Sequence, residues 1–505
     1  MVNKFTTNCF RVAGNEINLT QWLEAFKDLG FKSYKRTAWD PGSLKKEGKR
    51  HFRGHGWQVD KIQMQGGQAG LLLNPAYPIF DKLDGAPLAI TSPGLSNPAT
   101  KKPMTWEEVQ EIKEKLMKVS GEALTNMTGS LIFDPGTNIK RIYQNNESYT
   151  IKSQINSNDR PFYKPVSISL IATGYNPTPH KTVIVEAAKE LQETLQRRGC
   201  NCTLSFELPK SNKIFGKIKR IYQNGFTPMV FLGLKGSHGD TLPEEILVLI
   251  TELEKSKIPF QIFSYKNWTK FNAYSICSSV CLKAGGLPFR VSGSKILDSY
   301  KPIIVGLDKS HNREKRTSNY SMVILSSDGN ILYKDKWLTK LDETFRDVDT
   351  KKATLILRNF LTNTKLGDRG IIVMRDGRMF KNESLEPWQN LHKNDNLTYL
   401  EIIKNPTPII YGSNEQLSPL ISFGKSSDGF LCPKWDRRNG LGKTRRIRIR
   451  KNPNNYTIEQ IAEMLAVTSY QPRLGPHPTL HPSPIYWADG FAGTSDKQLQ
   501  FRGFS

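Results

Sequence analysis

A chain of 505 residues is too long for one hydrophobic core, so several domains are expected. Its 37% hydrophobic content suits a folded globular protein, and no apolar run is long enough to span a membrane. Lys and Arg number 72 against 47 Asp and Glu, a net charge of +25 that points to a polyanionic partner, most often nucleic acid. The N-terminal stretch "MVNKFTTNCFRVAGNE" lacks the apolar core of a signal peptide, and six cysteines are scattered over the chain. A cytoplasmic chain with reduced thiols and no membrane contact is expected. Cys200 and Cys202 read as packing residues.

Residues 1–95 mix short strand-like pieces with Pro and Gly turns and read as an N-terminal domain. Residues 96–160 read as a linker region holding one amphipathic helix over 104–124, stopped near Gly121. From 161 to 295 buried strands alternate with helices. "PVSISLIATG" is a strand, 182–199 a helix ended by Gly199, and "NCTLSFEL", "TPMVFLGL" and "IPFQIFS" are further strands, with a helix over 242–257. That alternation predicts a parallel sheet covered by helices, a Rossmann-like unit. It carries no GxGxxG, which argues against a dinucleotide.

A second α/β unit covers 296–505. "PIIVGLDKS" is its first strand, 319–337 a hairpin around Asp328-Gly329, 351–363 a helix, 370–380 a strand and 456–469 a helix. Two of these strands end on aspartates, Asp308 and Asp376, and Asp489 follows an aromatic pair in "SPIYWADGFAG". A lone aspartate at a strand end usually caps a turn. Three in one unit match what two-metal phosphodiester hydrolysis needs: oxygen ligands for two hard cations, Mg²⁺ or Mn²⁺, that stabilise attacking and leaving oxygens.

Basic residues recur in 35–57, 210–223 and 443–452. The last alternates Arg with Ile, so as a strand it would put Arg446, Arg448 and Arg450 on one face of a nucleic-acid groove. Two other motifs are set aside. "GLGKT" has Arg437 where a phosphate loop needs glycine, and His477 and His481 have no third zinc ligand near.

These motifs, in this order, resemble the MID and PIWI domains of prokaryotic Argonautes. Gly306-Leu307-Asp308 resembles the end of the first PIWI strand, Arg375-Asp376-Gly377 the end of the central strand, and Pro484, Tyr486, Ala488 and Asp489 the last motif. The stretch 257–291, with Lys283-Ala284-Gly285-Gly286, resembles the join of MID to PIWI. The resemblance covers roughly 165–505. It implies a Rossmann-like MID domain followed by a ribonuclease H-like PIWI domain in an α/β multidomain chain. It also implies a short guide strand, RNA or DNA, paired to a complementary single-stranded target. The N-terminal part is too short for both an N domain and a PAZ domain, so a reduced region without PAZ is expected.

Active members insert a glutamate finger between the first two aspartates. Glu343 lies 35 residues after Asp308 and 33 before Asp376 and suits that role. The implied catalytic set is Asp308, Glu343, Asp376 and Asp489, with the three aspartates as metal ligands. The implied activity is guide-directed endonucleolytic cleavage, serving host defence. The alternative is a catalytically silent guide-binding protein that recruits or activates an effector protein.

In the family, MID grips a 5′-phosphate with a Tyr-x-x-x-Lys pair, a Gln and a Lys before Gly-Gly. Gln261 and Lys283 match the last two, whereas the first pair falls near Ile246 and Ile250. If those isoleucines line the pocket, it should prefer a guide with a 5′-hydroxyl. The alternative is that both face the core. Lys266 and Lys270 would contact the next phosphates, and Tyr265 or Trp268 would stack on a base.

Overall fold

The computed structural model describes residues 4–13, 17–47, 51–63, 69–80, 87, 89–91, 105–133, 135–151, 160–175, 177–235, 242–266, 268–312, 316–341, 344–364, 366–389, 391, 396–404, 407–411, 420–422, 428–436, 441–471, 479 and 481–493. The chain divides into two compact units. One comprises 1–135, 402–449 and 456–466, the other 136–401, 450–455 and 467–505.

Among the described residues, the first unit holds an antiparallel sheet, helices Leu19–Asp28 and Trp106–Ser120 and most of helix Ile458–Ser469. Strand Lys4–Val12 pairs with Ala69–Phe80, Leu124–Phe133 and Ile409–Tyr411. The helix expected over 104–124 runs from Trp106 to Ser120, opened by a reciprocal Thr105–Glu108 capping box and closed by left-handed Gly121. Its Val109, Ile112 and Leu116 pack with Trp22 and Phe26 of helix Leu19–Asp28. It therefore contributes to this unit's core. Residues 402–449 likewise group with the N-terminal strands rather than with the rest of 296–505.

The second unit contains both α/β patterns. Its Rossmann-like half is a parallel sheet in the order Asn201–Phe206, Ser167–Gly174, Thr227–Leu234, Phe260–Ser264. Helices Pro177–Arg197 and Lys270–Lys283 cover one face, where Leu191 and Val280 share a core with Phe231. Helices Ser211–Gln223 and Glu244–Lys255 cover the other, where Ile214, Ile218 and Ile221 meet Leu232 and Leu249.

In the ribonuclease H-like half, strand Ile303–Asn312 is central. It pairs antiparallel with Thr317–Leu325, which pairs with Ile331–Lys340, and on its other side it runs parallel to Ile371–Asp376. Side chains alternate between faces along a strand. Ile303, Val305 and Leu307 point to one face, under Ala353 and Leu357 of helix Asp347–Asn363. Gly306 and Asp308 point to the other, which helix Ser483–Gly493 covers.

That second face depends on a missing side chain. A Cβ built on Gly306 would lie 2.1 Å from the Pro484 carbonyl oxygen. The helix backbone therefore rests directly on the strand. Ser321 Oγ donates to the Ala488 carbonyl at 2.8 Å, and Asn319 Nδ2 donates to Ala492 at 3.3 Å, which fixes the helix's path over the neighbouring strand. Gly306→Ala should displace this helix and cost about 1–3 kcal/mol, the usual range for overpacking. Thermal melting of the two proteins checks it; an unchanged melting temperature would show the helix free to shift.

Candidate functional site

Parallel pairing places Leu307 opposite Arg375. One step further along both strands lie Asp308 and Asp376. Neighbouring strands are about 4.8 Å apart, and residues opposite one another share a face, so these carboxylates stand side by side on the Gly306 face. Ser321 lies opposite Asp308 on the next strand and also holds the Ala488 carbonyl. Asp489 thus sits on the covering helix at the level of Asp308.

The loop before helix Asp347–Asn363 is tied to the same place. Lys309, next to Asp308, donates from Nζ to the Thr344 carbonyl at 2.8 Å. The Phe345 amide donates to Glu383, whose carboxylate also pairs with the buried Arg375, including a 3.0 Å bond to Nη2. Arg375 stacks over the Phe345 ring at 4.1 Å. Glu383 gave no signal in the sequence beyond one charge among several; its role is set by burial. Glu343, the expected finger, lies outside the described residues, as does Asp342.

The donor chemistry suits a hard divalent cation: Asp308 and Asp376 supply carboxylate oxygens on adjacent strands, and Asp489 is the third candidate. Asp376 ends its strand as expected, but the strand of Asp308 runs on to Asn312, because pairing with Thr317–Leu325 continues through its polar residues. Among the described residues, no three His, Cys, Asp or Glu side chains are grouped as a ready metal site. The register brings two of the carboxylates together, and the third lies on the helix that covers their face of the sheet.

The expected guide-end residues separate into two groups. Gln261 and Lys283 meet: Lys283 Nζ donates to the Phe260 carbonyl at 2.9 Å and to Gln261 Oε1 at 3.0 Å. Burial, then the charge of Lys334, pushes Lys283 well below the usual lysine range. Lys334 itself is brought down to about 8, chiefly by burial, with Lys336 adding to the fall and Glu254 opposing it. Lys336 pairs with Glu254 at 2.7 Å, and both lysines lie over the Phe491 ring. A cationic corner therefore forms where the Rossmann-like half meets the ribonuclease H-like half. Leu282 and Leu287 pack there against Val323, Trp487 and Ala488. Lys334 and Lys336 were not foreseen, although the period-two pattern of "ILYKDKWLTK" puts them on one strand face.

The other group is corrected. Ile246 and Ile250 are 0% and 3% exposed and pack in the sheet core with Leu232 and Ile262, so they line no opening. They face the core because helix Glu244–Lys255 turns its apolar stripe to the sheet. Tyr265 is buried against His180, with ring centroids 4.8 Å apart, and Trp268 donates from Nε1 to Glu190 at 2.7 Å. Both aromatics are occupied by the fold rather than open to a base. Lys266 is exposed, and the Lys270 side chain lies outside the description.

Of the three groove arginines, Arg446 and Arg448 are half-buried opposite Phe430 and Asp428. Arg450 instead donates from Nε at 2.8 Å to Glu401, a fully buried carboxylate that also accepts the Met379 amide. Arg450→Ala should therefore cost about 1–3 kcal/mol, because it strips a partner from a buried charge. Urea unfolding tests this, and a stability change within about 0.5 kcal/mol would return Arg450 to the solvated surface.

No family model matches the chain. A protein argonaute from Marinitoga hydrogenitolerans is 26% identical over 240 residues, which cover 46% of this chain and 34% of that protein. The crystal structure of Marinitoga piezophila Argonaute with 5′ OH guide RNA and target DNA is similar at a TM-score of 0.60 and 16% identity, covering 93% of this chain and 84% of that one. Aquifex aeolicus Argonaute is similar at a TM-score of 0.60 and 14% identity, covering 97% of each chain. The chain has the Argonaute fold. Within that fold, the Argonaute-like chain presents two chemically distinct places, the paired aspartates and the Gln261–Lys283 corner. The stretch that matches the curated Argonaute spans about a third of that protein's length.

Proposed function

We propose that this chain binds a short guide strand and cleaves a complementary single-stranded nucleic acid. The observation that carries the reading is the register that sets Asp308 beside Asp376 on the face covered by the helix bearing Asp489. Asp308, Asp376 and Asp489 would hold Mg²⁺ or Mn²⁺. When bound, two such ions activate a water and stabilise the departing oxygen. Glu343 would complete the set, and the Lys309 and Glu383 bonds to residues 344 and 345 support the loop that carries it. Base pairing with the guide would choose the target, with the protein holding the duplex by its backbone. A cytoplasmic role in host defence fits such an activity.

The test is cleavage of a labelled target by the guide-loaded chain with Mn²⁺, beside the Asp376→Ala variant. The variant should lose more than about a hundredfold in rate, since a metal ligand contributes several kcal/mol to the transition state. Product that forms without metal, or that survives Asp376→Ala, would sink the nuclease reading. A silent guide-binding protein acting through an effector partner is the second reading.

The guide's 5′ end would sit at the Gln261–Lys283 corner. There Lys283 already donates to two protein oxygens, and burial, then the charge of Lys334, disfavours its charged form. Such a corner offers a phosphate dianion less than its residue types suggest. The Marinitoga piezophila protein was crystallised with a 5′ OH guide. Guides of one sequence with a 5′-hydroxyl should bind at least as tightly as those with a 5′-phosphate. A preference for phosphate of more than about tenfold, or about 1.4 kcal/mol, would overturn this assignment.

A further inference from the structure

Helix Ser211–Gln223 has a feature that packing does not explain. Ile214, Ile218 and Ile221 bury its inner stripe. At the centre of the opposite stripe is Gly216, exposed and in mid-helix, with nothing within 4 Å of an added Cβ. Its φ is not in the left-handed region and no neighbour forbids a side chain, so neither conformation nor crowding calls for glycine. Glycine weakens a helix interior relative to alanine.

The surroundings of this gap are cationic. On a helix surface the neighbours of residue i lie at i±3 and i±4. For Gly216 these are Asn212, Lys213, Lys219 and Arg220, all exposed. The helix, "SNKIFGKIKRIYQ", contains no acidic residue. Among the described residues Lys213, Lys219 and Arg220 have no ion-pair partner. The result is a bare strip of backbone flanked by three unneutralised positive charges.

We infer that this face is a second nucleic-acid contact, at which the phosphate backbone of a single strand lies across Gly216 between Lys213 and Arg220 on one side and Lys219 on the other. The missing side chain lets the strand approach the helix backbone, and the flanking charges neutralise its phosphates. A membrane surface fits less well, because a helix lying on lipid turns its apolar stripe outward, and here that stripe is buried in the sheet core. The face is separate from the guide-end corner: Lys283 ends a helix on the opposite side of the parallel sheet. The inference rests on the nucleic-acid reading above and adds a site to it.

The test uses the full chain and a labelled single-stranded oligonucleotide longer than the guide, with filter binding over a range of salt. Combined Lys213→Glu, Lys219→Glu and Arg220→Glu should reduce the slope of log affinity against log salt by about two, since each single-strand phosphate contact contributes about 0.7. Gly216→Ala should weaken binding while raising the melting temperature, so a loss cannot be blamed on misfolding. Unchanged slope and affinity in both variants would overturn the site. So would a triple variant that keeps oligonucleotide binding but loses binding to polyglutamate or to anionic vesicles. Guide-end discrimination, measured in parallel, separates the two proposals. A phosphate preference of more than about tenfold alongside an altered salt slope overturns only the guide-end assignment. A wild-type chain that binds no oligonucleotide overturns both.

Discussion

The contact between the Pro484 carbonyl and the Gly306 backbone governs the candidate active site. A sheet buried on both faces needs a cover on each, and covers ordinarily rest on side chains. Here one cover rests on the strand itself, two residues before Asp308. That close approach brings the helix with Asp489 down toward the level of Asp308. A methyl group at Gly306 would hold them apart. The polar bonds from Ser321 and Asn319 to helix carbonyls then prevent the helix from sliding.

A second constraint is electrostatic. Arg375 and Glu383 are both almost fully buried, 2% and 3% exposed at the side chain, and neither charge tolerates loss of the other. The pair sits on the face away from Asp376, directly beneath the loop it anchors through Phe345. Glu401 plays a parallel role, joining Arg450 to the Met379 amide just past Gly377. Buried charge thus holds the approaches to the aspartates on one side, and close backbone packing holds them on the other.

Much of this was legible in the sequence, where periodicity and packing agree. The strand ending on Asp376, the apolar half of the strand that carries Asp308, the hairpin at Asp328-Gly329 and the helices at 106–120 and 244–255 follow apolar spacing and turn or capping chemistry. The polar run from Lys309 to Asn312 hid the rest of that strand. Other helices were hidden, among them 19–28, 211–223, 270–283 and 483–493. In 211–223 the lysines drew attention as charge, although Ile214, Ile218 and Ile221 recur at helical spacing. In 483–493 glycines and aromatics blurred any period. Ile246 and Ile250 were placed on the right helix, but a buried stripe and a pocket wall look the same in one dimension. Arg450 could not be told from Arg446 and Arg448, because its partner Glu401 lies 49 residues away.

The parity of the central strands carries one more consequence. Slipping either strand by a single residue exchanges its two faces. A slipped strand 303–312 would drive Asp308 into the oily layer beneath helix 347–363 and leave Leu307 where the carboxylate belongs. It would also press a side chain into the space that only Gly306 leaves open. Misalignment is thus penalised twice, once by desolvating an acid and once by collision. The residues proposed to carry the chemistry also serve as the proofreaders of the sheet that displays them.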